Sequence, residues 1–178
     1  MTHADRPELP DFAALFAACP NPYLVLAPDF TIVAVNDSYC RATMTRREDI
    51  LGRGLFDVFP DNPDDLDSMG TSNLHNSLVR VIEHKRPDAM AVQKYDIRKP
   101  AAEGGAFEVR YWSPLNVPVP GPDGELRWII HYVEDVTELM LKRYADSERE
   151  EFAREQQKLI DQLRRANREL ADRIAAGG

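Results

Sequence analysis

Two kinds of sequence pattern meet in one segment of the chain, residues 129–139, which reads IIHYVEDVTEL. As far as Val136 the residues are mostly β-branched or aromatic, and this favours a strand. From Thr137 onward proline is absent, and Glu, Lys, Arg, Gln, Ala and Leu dominate, which predicts one long helix. The segment therefore predicts a folded domain whose last strand, 126–136, runs directly into a helix over residues 137–176.

The junction carries three polar residues, Asp135, Thr137 and Glu138. The Thr137 hydroxyl can cap the helix, and the Glu138 carboxylate favours the positive end of the helix dipole. The same groups can hold the helix start to the sheet, so that a small strand movement tilts or rotates the helix. We predict that these residues relay a small-molecule, redox or partner-binding signal, with simple capping as the alternative.

The distal half of the long helix carries an apolar seam with 3-4 spacing, which is typical of a coiled coil. β-Branched residues and one asparagine occupy the a positions, and leucines occupy d, a combination that favours two strands. Parallel and antiparallel dimers remain open, and a solvated single helix is the alternative. The predicted interface comprises Ile160, Leu163, Asn167, Leu170 and Ile174 on the seam, with Phe152, Leu159 and Ala166 beside it.

Upstream of the last strand, apolar patterns and turn residues predict an α+β arrangement. A short helix over 11–18 precedes two strand-like runs, and a longer helix spans about 71–84. Strands over 90–98 and 107–117 then lead to the last strand. The three final strands are neighbours joined by hairpin-type loops, so we expect them to pair antiparallel.

Four segments in this order resemble the PAS family. They are TIVAVNDSYCRATM at 31–44, REDILGRGLFDVFPDN at 47–62, FEVRYWSPLNVPVPGPDGELRWII at 107–130, and the IIHYVEDVTEL segment. The resemblance covers residues 11 to about 138. It implies a five-stranded antiparallel PAS sheet with helices on one face, followed by a C-terminal coiled-coil helix.

The resemblance also implies an organisation and a role. Residues 1–10 are expected to be a flexible lead-in, 11–136 the PAS sensor domain, and 137–176 the signalling helix. Family members dimerise through an N-terminal helix and the exit helix, and serve as inputs to histidine kinases or other two-component outputs. The N-terminal contribution to a homodimer here would come from Phe12, Leu15 and Phe16.

A pocket between sheet and helices is the site at which such domains bind a small ligand or cofactor. Aromatic residues with a few polar groups suit a small-molecule site, although the same residues can also serve as ordinary core or interface. The predicted lining is Phe56, Phe59, Leu74, Leu78, Tyr95, Tyr111, Trp112, Ser113, Asn116, Trp128 and His131.

Histidine and cysteine residues indicate which cofactors the domain could bind. Neutral imidazole is a good iron ligand, and His75 on the central helix is the candidate for a haem-sensor alternative. Cysteinyl-flavin chemistry is not expected, because residues 52–62 lack the cysteine that light-oxygen-voltage relatives carry there. A scaffold that dimerises without any ligand is the third hypothesis.

Composition and charge limit the kinds of partner that the chain can bind. The 178 residues carry a net charge of −8, which disfavours direct binding to nucleic acid or to anionic membranes. No apolar run approaches the ~20 residues needed to span a bilayer, and the N-terminus does not read as a signal peptide, so a cytoplasmic location is expected. No nucleotide-binding glycine box is present, and no histidine follows His131, so we expect neither phospho-acceptance by the helix nor enzymatic activity.

Overall fold

A computed structural model of the chain describes residues 9–65 and 68–176, with residues 166–176 described as helical backbone alone. The chain divides into two units, Met1–Thr137 and Glu138–Gly178. Most of the predicted lead-in, up to residue 8, lies outside the described residues.

The first unit alternates short helices with strands before two long strands, and the second is helical. The elements are α1 Phe12–Ala18, β1 Tyr23–Leu26, β2 Ile32–Val35, α2 Asp37–Thr43, α3 Arg47–Ile50, α4 Leu55–Val58, α5 Gly70–His84, β3 Asp88–Ala89, β4 Gln93–Lys94, β5 Ile97–Arg98, β6 Phe107–Glu108, β7 Tyr111–Pro120, β8 Leu126–Asp135 and α6 Thr137–Ala176.

The main sheet confirms the predicted α+β class with an antiparallel sheet. Its strand order is β2-β1-β8-β7-β3, and β4 also pairs with β7. Within the described residues this gives six strands rather than the predicted five. The extra strand arises because two short strands, β3 and β4, pair one after the other with the same side of β7. The two ten-residue strands, β7 and β8, occupy the middle of the sheet.

The predicted continuous strand over 90–98 is wrong, and a proline explains the break. Met90 N–H donates to Pro114 O at 3.0 Å, but Pro114 has no N–H to return a bond to this edge. The ladder therefore stops after Ala89 and resumes with a changed register at Gln93, which pairs with Trp112. Further along, β5 leaves the main sheet and pairs with β6 instead.

The core lies on one face of the sheet, under α2 to α5. Side chains of successive strand residues point to opposite faces, and the buried positions in β7 and β8 alternate accordingly. Burial of these apolar groups supplies the main stabilisation of the first unit. The buried hydrophobic residues are Leu24, Leu26, Ile32, Val35, Tyr39, Ile50, Leu55, Leu78, Val81, Ile97, Trp112, Ile129 and Val133.

One fully buried side chain, Asn36, joins three elements at the edge of this core. Its Oδ1 accepts hydrogen bonds from the main-chain N–H groups of Tyr23 and Tyr39 at 3.0 and 2.9 Å. Its Nδ2 donates to the carbonyl of Asn21 at 2.7 Å and to that of Cys19 at 3.3 Å. Asn36 therefore caps α2 and fixes the chain between α1 and β1.

The helix α6 spans Thr137–Ala176, and all of it after Thr137 belongs to the second unit. Its described side chains are almost all exposed, including several large apolar ones. In the part of the chain that the structure describes, no helix is both long enough and apolar enough to cross a membrane.

Replacing Asn36 with alanine should lower the free energy of unfolding by about 3 kcal/mol, because several buried main-chain groups lose their partners at once. Urea denaturation of the purified chain measures this. Asn76→Ala is the matched control: Asn76 is exposed on α5, and its replacement should change stability by less than about 0.5 kcal/mol. Equal losses in the two variants would contradict the role given to Asn36.

Candidate ligand-binding site

A cavity of about 60 Å³ lies between the inner face of β7 and β8 and the helices α2, α4 and α5. A single water needs roughly 10–15 Å³ by the same kind of measure, so this cavity has room for a few waters or a small organic group. Its lining is mostly apolar. The lining residues are Tyr39, Thr43, Leu55, Phe56, Phe59, Gly70, Thr71, Leu74, Met90, Gln93, Tyr95, Ile97, Trp112, Pro114, His131 and Val133.

The structure places six of the eleven predicted pocket residues around this cavity: Phe56, Phe59, Leu74, Tyr95, Trp112 and His131.

The other five predicted residues lie elsewhere. Tyr111 and Ser113 flank the inward-facing Trp112 on β7, so strand alternation places them on the opposite face of the sheet, and Trp128 alternates with Ile129 in the same way. The last two, Leu78 and Asn116, are fully buried but do not line the cavity.

Several lining residues were missed by the sequence analysis, and some had a usable signal. Pro114 and Val133 lie two positions from Trp112 and His131, so alternation alone could have identified them. Gly70 had no such signal: a Cβ at this position would collide with the ring of Tyr95. The remaining missed residues are Tyr39, Thr43, Leu55, Thr71, Met90, Gln93 and Ile97.

Most polar groups around the cavity are bonded within the protein. The Trp112 indole N–H donates to the carbonyl of Tyr95 at 2.9 Å. The Tyr95 hydroxyl lies within bonding distance of the carbonyls of Phe59 and Pro60. The Thr43 hydroxyl donates to the Tyr39 carbonyl at 2.9 Å. Two further side chains are bonded in the same way: Thr71 to Asp61, and Gln93 to Asn73 and Ala91.

Two lining groups keep hydrogen-bonding capacity. His131 is 3% exposed, and its Nδ1 lies 2.7 Å from Asn116 Oδ1, while its Nε2 bonds to no described residue. Burial lowers the pKa of His131 to about 4, so the ring is neutral at pH 7. Burial also raises the pKa of Tyr39, whose hydroxyl stays protonated and likewise bonds to no described residue. The cavity therefore suits a small, largely apolar molecule with one or two polar atoms.

The haem-ligand hypothesis for His75 does not fit this geometry. His75 is exposed on α5 and packs edge-on against Phe30, with ring centroids 5.4 Å apart, outside the cavity lining. A cavity of about 60 Å³ also has no room for a porphyrin. In residues 9–65 and 68–165, no group of three or more His, Cys, Asp or Glu side chains is arranged to hold a metal ion.

The helix exit is built differently from the sequence prediction. Asp135, rather than Thr137, caps the helix: its Oδ1 accepts from the Thr137 N–H at 2.9 Å, and its Oδ2 accepts from Arg110 at 2.5 Å. The Thr137 hydroxyl instead accepts from the Tyr111 N–H at 2.9 Å. Val136 N–H donates to the Tyr111 carbonyl at 2.9 Å. The first residue of α6 is thus bonded to β7.

The third relay residue, Glu138, is exposed in the first turn of α6.

The predicted dimer residues are mostly exposed where the structure describes them. On α1, Phe12 and Leu15 are 69% and 53% exposed, whereas Phe16 is half-buried. On α6, the exposed apolar residues include Phe152, Leu159, Ile160 and Leu163. The side chains of Ala166, Asn167, Leu170 and Ile174 lie outside the described part.

Comparison with known proteins agrees with this architecture. A family model described as the PAS fold matches residues 16–140, most of the chain. This chain belongs to the PAS family, as the sequence resemblance predicted. No curated protein sequence matches it.

Solved structures show the same fold at low sequence identity. The PAS domain of a Colwellia psychrerythraea protein is 12% identical, with a TM-score of 0.54 over 71% of this chain and 95% of that one. The PAS domain of Bordetella pertussis BvgS is 19% identical, with a TM-score of 0.54 over 78% and 95%. The PAS domain of the fruit-fly ELK potassium channel is 16% identical, with a TM-score of 0.51 over 71% and 94%.

The buried His131 should make stability depend on pH between about 6.5 and 4. In the unfolded chain its ring gains a proton near pH 6.5, but in the folded chain not until about pH 4. Stability therefore falls as the pH drops through this range, by roughly 3 kcal/mol at 1.36 kcal/mol per pKa unit. Urea denaturation between pH 7.5 and 4 measures the loss.

Variants assign this loss to His131. His131→Gln should flatten the dependence over the same range, whereas Asn76→Gln, at an exposed position without a titratable group, should leave it unchanged. A wild-type protein equally stable at pH 7.5 and pH 4 would contradict the burial of a neutral histidine.

Proposed function

We propose that the chain is a cytoplasmic sensory PAS module. A small molecule binds in the cavity, and the resulting change passes through residues 135–138 into α6. The sensor domain corresponds to residues 11–136 and the signalling helix to residues 137–176. The module acts as a homodimer and has no catalytic activity of its own.

The observation that carries this proposal is the shared use of β7 and β8 by the cavity and by the helix exit. Trp112 lines the cavity and pairs directly with Asp135, which caps α6. The residue before it, Tyr111, is bonded to Val136 and Thr137 through its main chain. A ligand that moves Trp112 therefore acts on backbone that also holds the helix start.

The output is a change in the pair of α6 helices. A ligand shifts such an equilibrium only if it binds one state better than the other. A bound molecule that displaces Trp112 favours the state in which the Tyr111–Thr137 contact is altered. The exposed apolar residues of α6 supply the coiled-coil seam that couples two chains. By family resemblance, a histidine kinase or another two-component protein receives this output.

A ligand-free dimerisation scaffold is the competing function. His131 Nε2 and the Tyr39 hydroxyl favour the ligand-binding proposal, because both residues line the cavity and both groups bond to no described residue, so they can bond to a ligand. Mass spectrometry of the denatured, freshly purified protein detects a co-purified molecule. NMR titration with isopropanol tests occupancy of the cavity directly. Absence of both would favour the scaffold.

Thr137→Val should separate ligand binding from signal transmission. Valine keeps the side-chain shape but removes the oxygen that accepts from Tyr111 N–H, at a cost of about 1 kcal/mol of stability. In wild-type protein, isopropanol should shift the amide NMR signals of both Trp112 and Leu139. In the variant, the Trp112 shift should remain and the Leu139 shift should disappear.

Ser113→Ala is the control for this experiment. Ser113 lies on the other face of the same strand, and its hydroxyl bonds to no described residue. Its replacement should leave both shifts intact. A Leu139 response that survives in Thr137→Val would contradict the proposed relay.

Dimerisation depends on the apolar seam of α6. The double variant Ile160→Glu, Leu163→Glu places four carboxylates in the seam of a two-chain assembly and should turn the dimer into a monomer, as measured by light scattering. Lys158→Glu adds the same residue at an exposed position outside the seam and should remain dimeric. A wild-type protein that is monomeric at micromolar concentration would refute this part of the proposal.

A further inference from the structure

A directional chain of hydrogen bonds links an ion pair at the protein surface to the histidine of the cavity. It begins at Asp88, whose carboxylate accepts from Arg80 at 2.9 and 2.7 Å. An ionised carboxylate can only accept hydrogen bonds. The Ser77 hydroxyl lies within bonding distance of the same carboxylate and therefore donates its one proton to Asp88.

The direction then propagates inward. Because the Ser77 proton is engaged, Ser77 Oγ must accept from Asn116, whose Nδ2 lies 2.7 Å away. This fixes the amide orientation of Asn116, since its Nδ2 faces Ser77 and its Oδ1 faces His131. The amide oxygen only accepts, so His131 Nδ1 must carry the proton across the 2.7 Å contact.

The proton on Nδ1 determines the state of the other ring nitrogen of His131, Nε2. A neutral imidazole has one N–H, so a proton on Nδ1 leaves Nε2 with a lone pair and no hydrogen. His131 lines the cavity, and Nε2 bonds to no described residue. The cavity therefore presents a pure acceptor at this point.

Burial keeps the chain of bonds intact. Ser77 and Asn116 are fully buried and His131 is 3% exposed, so the Ser77–Asn116 and Asn116–His131 bonds are shielded from competing bulk water. The hydrogen bond from Arg80 lowers the pKa of Asp88, which stays ionised at neutral pH, and burial keeps His131 neutral. Both ends of the chain are thus in the states that the directions require.

We propose that Asp88, acting through Ser77 and Asn116, fixes the Nδ1–H tautomer of His131 and so makes the cavity selective for small neutral ligands that donate a hydrogen bond. This inference rests on the proposed ligand-binding role of the cavity and adds the chemical class of the ligand. N–H and O–H compounds belong to that class, whereas acceptor-only molecules of the same shape can bond only to the Tyr39 hydroxyl and leave His131 Nε2 without a donor.

The first test reads the tautomer without any ligand. Long-range ¹H–¹⁵N spectra at pH 7 distinguish a protonated Nδ1 from a protonated Nε2. The wild-type chain should show Nδ1–H for His131. Asp88→Ala should lose this preference, because Ser77 is then free to donate to Asn116. Arg80→Ala breaks the same ion pair but leaves the accepting carboxylate, so it should keep Nδ1–H.

The second test uses two ring compounds of similar shape, pyrrole and furan. Pyrrole offers one N–H donor, whereas furan offers only an acceptor oxygen. Wild-type protein should bind pyrrole about fivefold to tenfold more tightly than furan, the value of one net hydrogen bond. Arg80→Ala should keep this ratio, and Asp88→Ala should bring it towards one. Chemical-shift titration of the Trp112 indole signal measures both affinities.

The outcomes distinguish a failure of the hydrogen-bond chain from a failure of the proposed ligand-binding function. An Nε2–H tautomer in the wild type, or an unchanged tautomer in Asp88→Ala, overturns the relay even if pyrrole binds, and leaves the proposed function standing. Equal binding of pyrrole and furan overturns the selectivity. If neither compound binds, the selectivity is overturned and the ligand-binding role of the cavity is contradicted with it. The wild-type measurements decide the matter even if a variant does not fold.

Discussion

The antiparallel register of β7 and β8 is the constraint on which the remaining features depend. It sets Asn116 opposite His131 and Trp112 opposite Asp135. The first pairing brings an amide and an imidazole together inside the core, and the second joins a cavity wall to a helix cap. Because side chains alternate between faces, a slip of one residue would send all of these groups to the other side of the sheet. The cavity and the start of α6 therefore both depend on the register of β7 and β8.

Buried polar groups make that alignment specific. Apolar side chains of similar size can exchange places at modest cost, whereas a buried amide without partners is expensive. Asn36 meets this demand where α1, β1 and α2 converge, and Asn116 meets it between α5 and β8. Each asparagine uses both its donor and its acceptor. These contacts allow few alternative packings, and the one near the cavity also determines which chemistry the cavity presents.

Two single residues, Pro114 on β7 and Gly70 at the start of α5, shape the cavity through their covalent structure. Pro114 interrupts the pairing of β7 with its outer neighbours β3 and β4. Met90, which follows β3, and Gln93, the first residue of β4, then both line the cavity. Gly70 permits Tyr95 to pack against the start of α5. A regular strand at residues 90–98, or a side chain at position 70, would give a different cavity on the same overall fold.

Periodic patterns within short segments determined the α+β class, the last strand, the long helix and the PAS resemblance, because each depends on neighbours along the chain. Six pocket residues also followed from those patterns. The tertiary structure alone decided which strand face is buried, which placed Tyr111, Ser113 and Trp128 outside the cavity. It likewise decided that Asp135 caps the helix while Thr137 accepts from Tyr111. The Tyr111–Thr137 bond joins residues 26 positions apart, and no local pattern specifies that partner for the Thr137 hydroxyl.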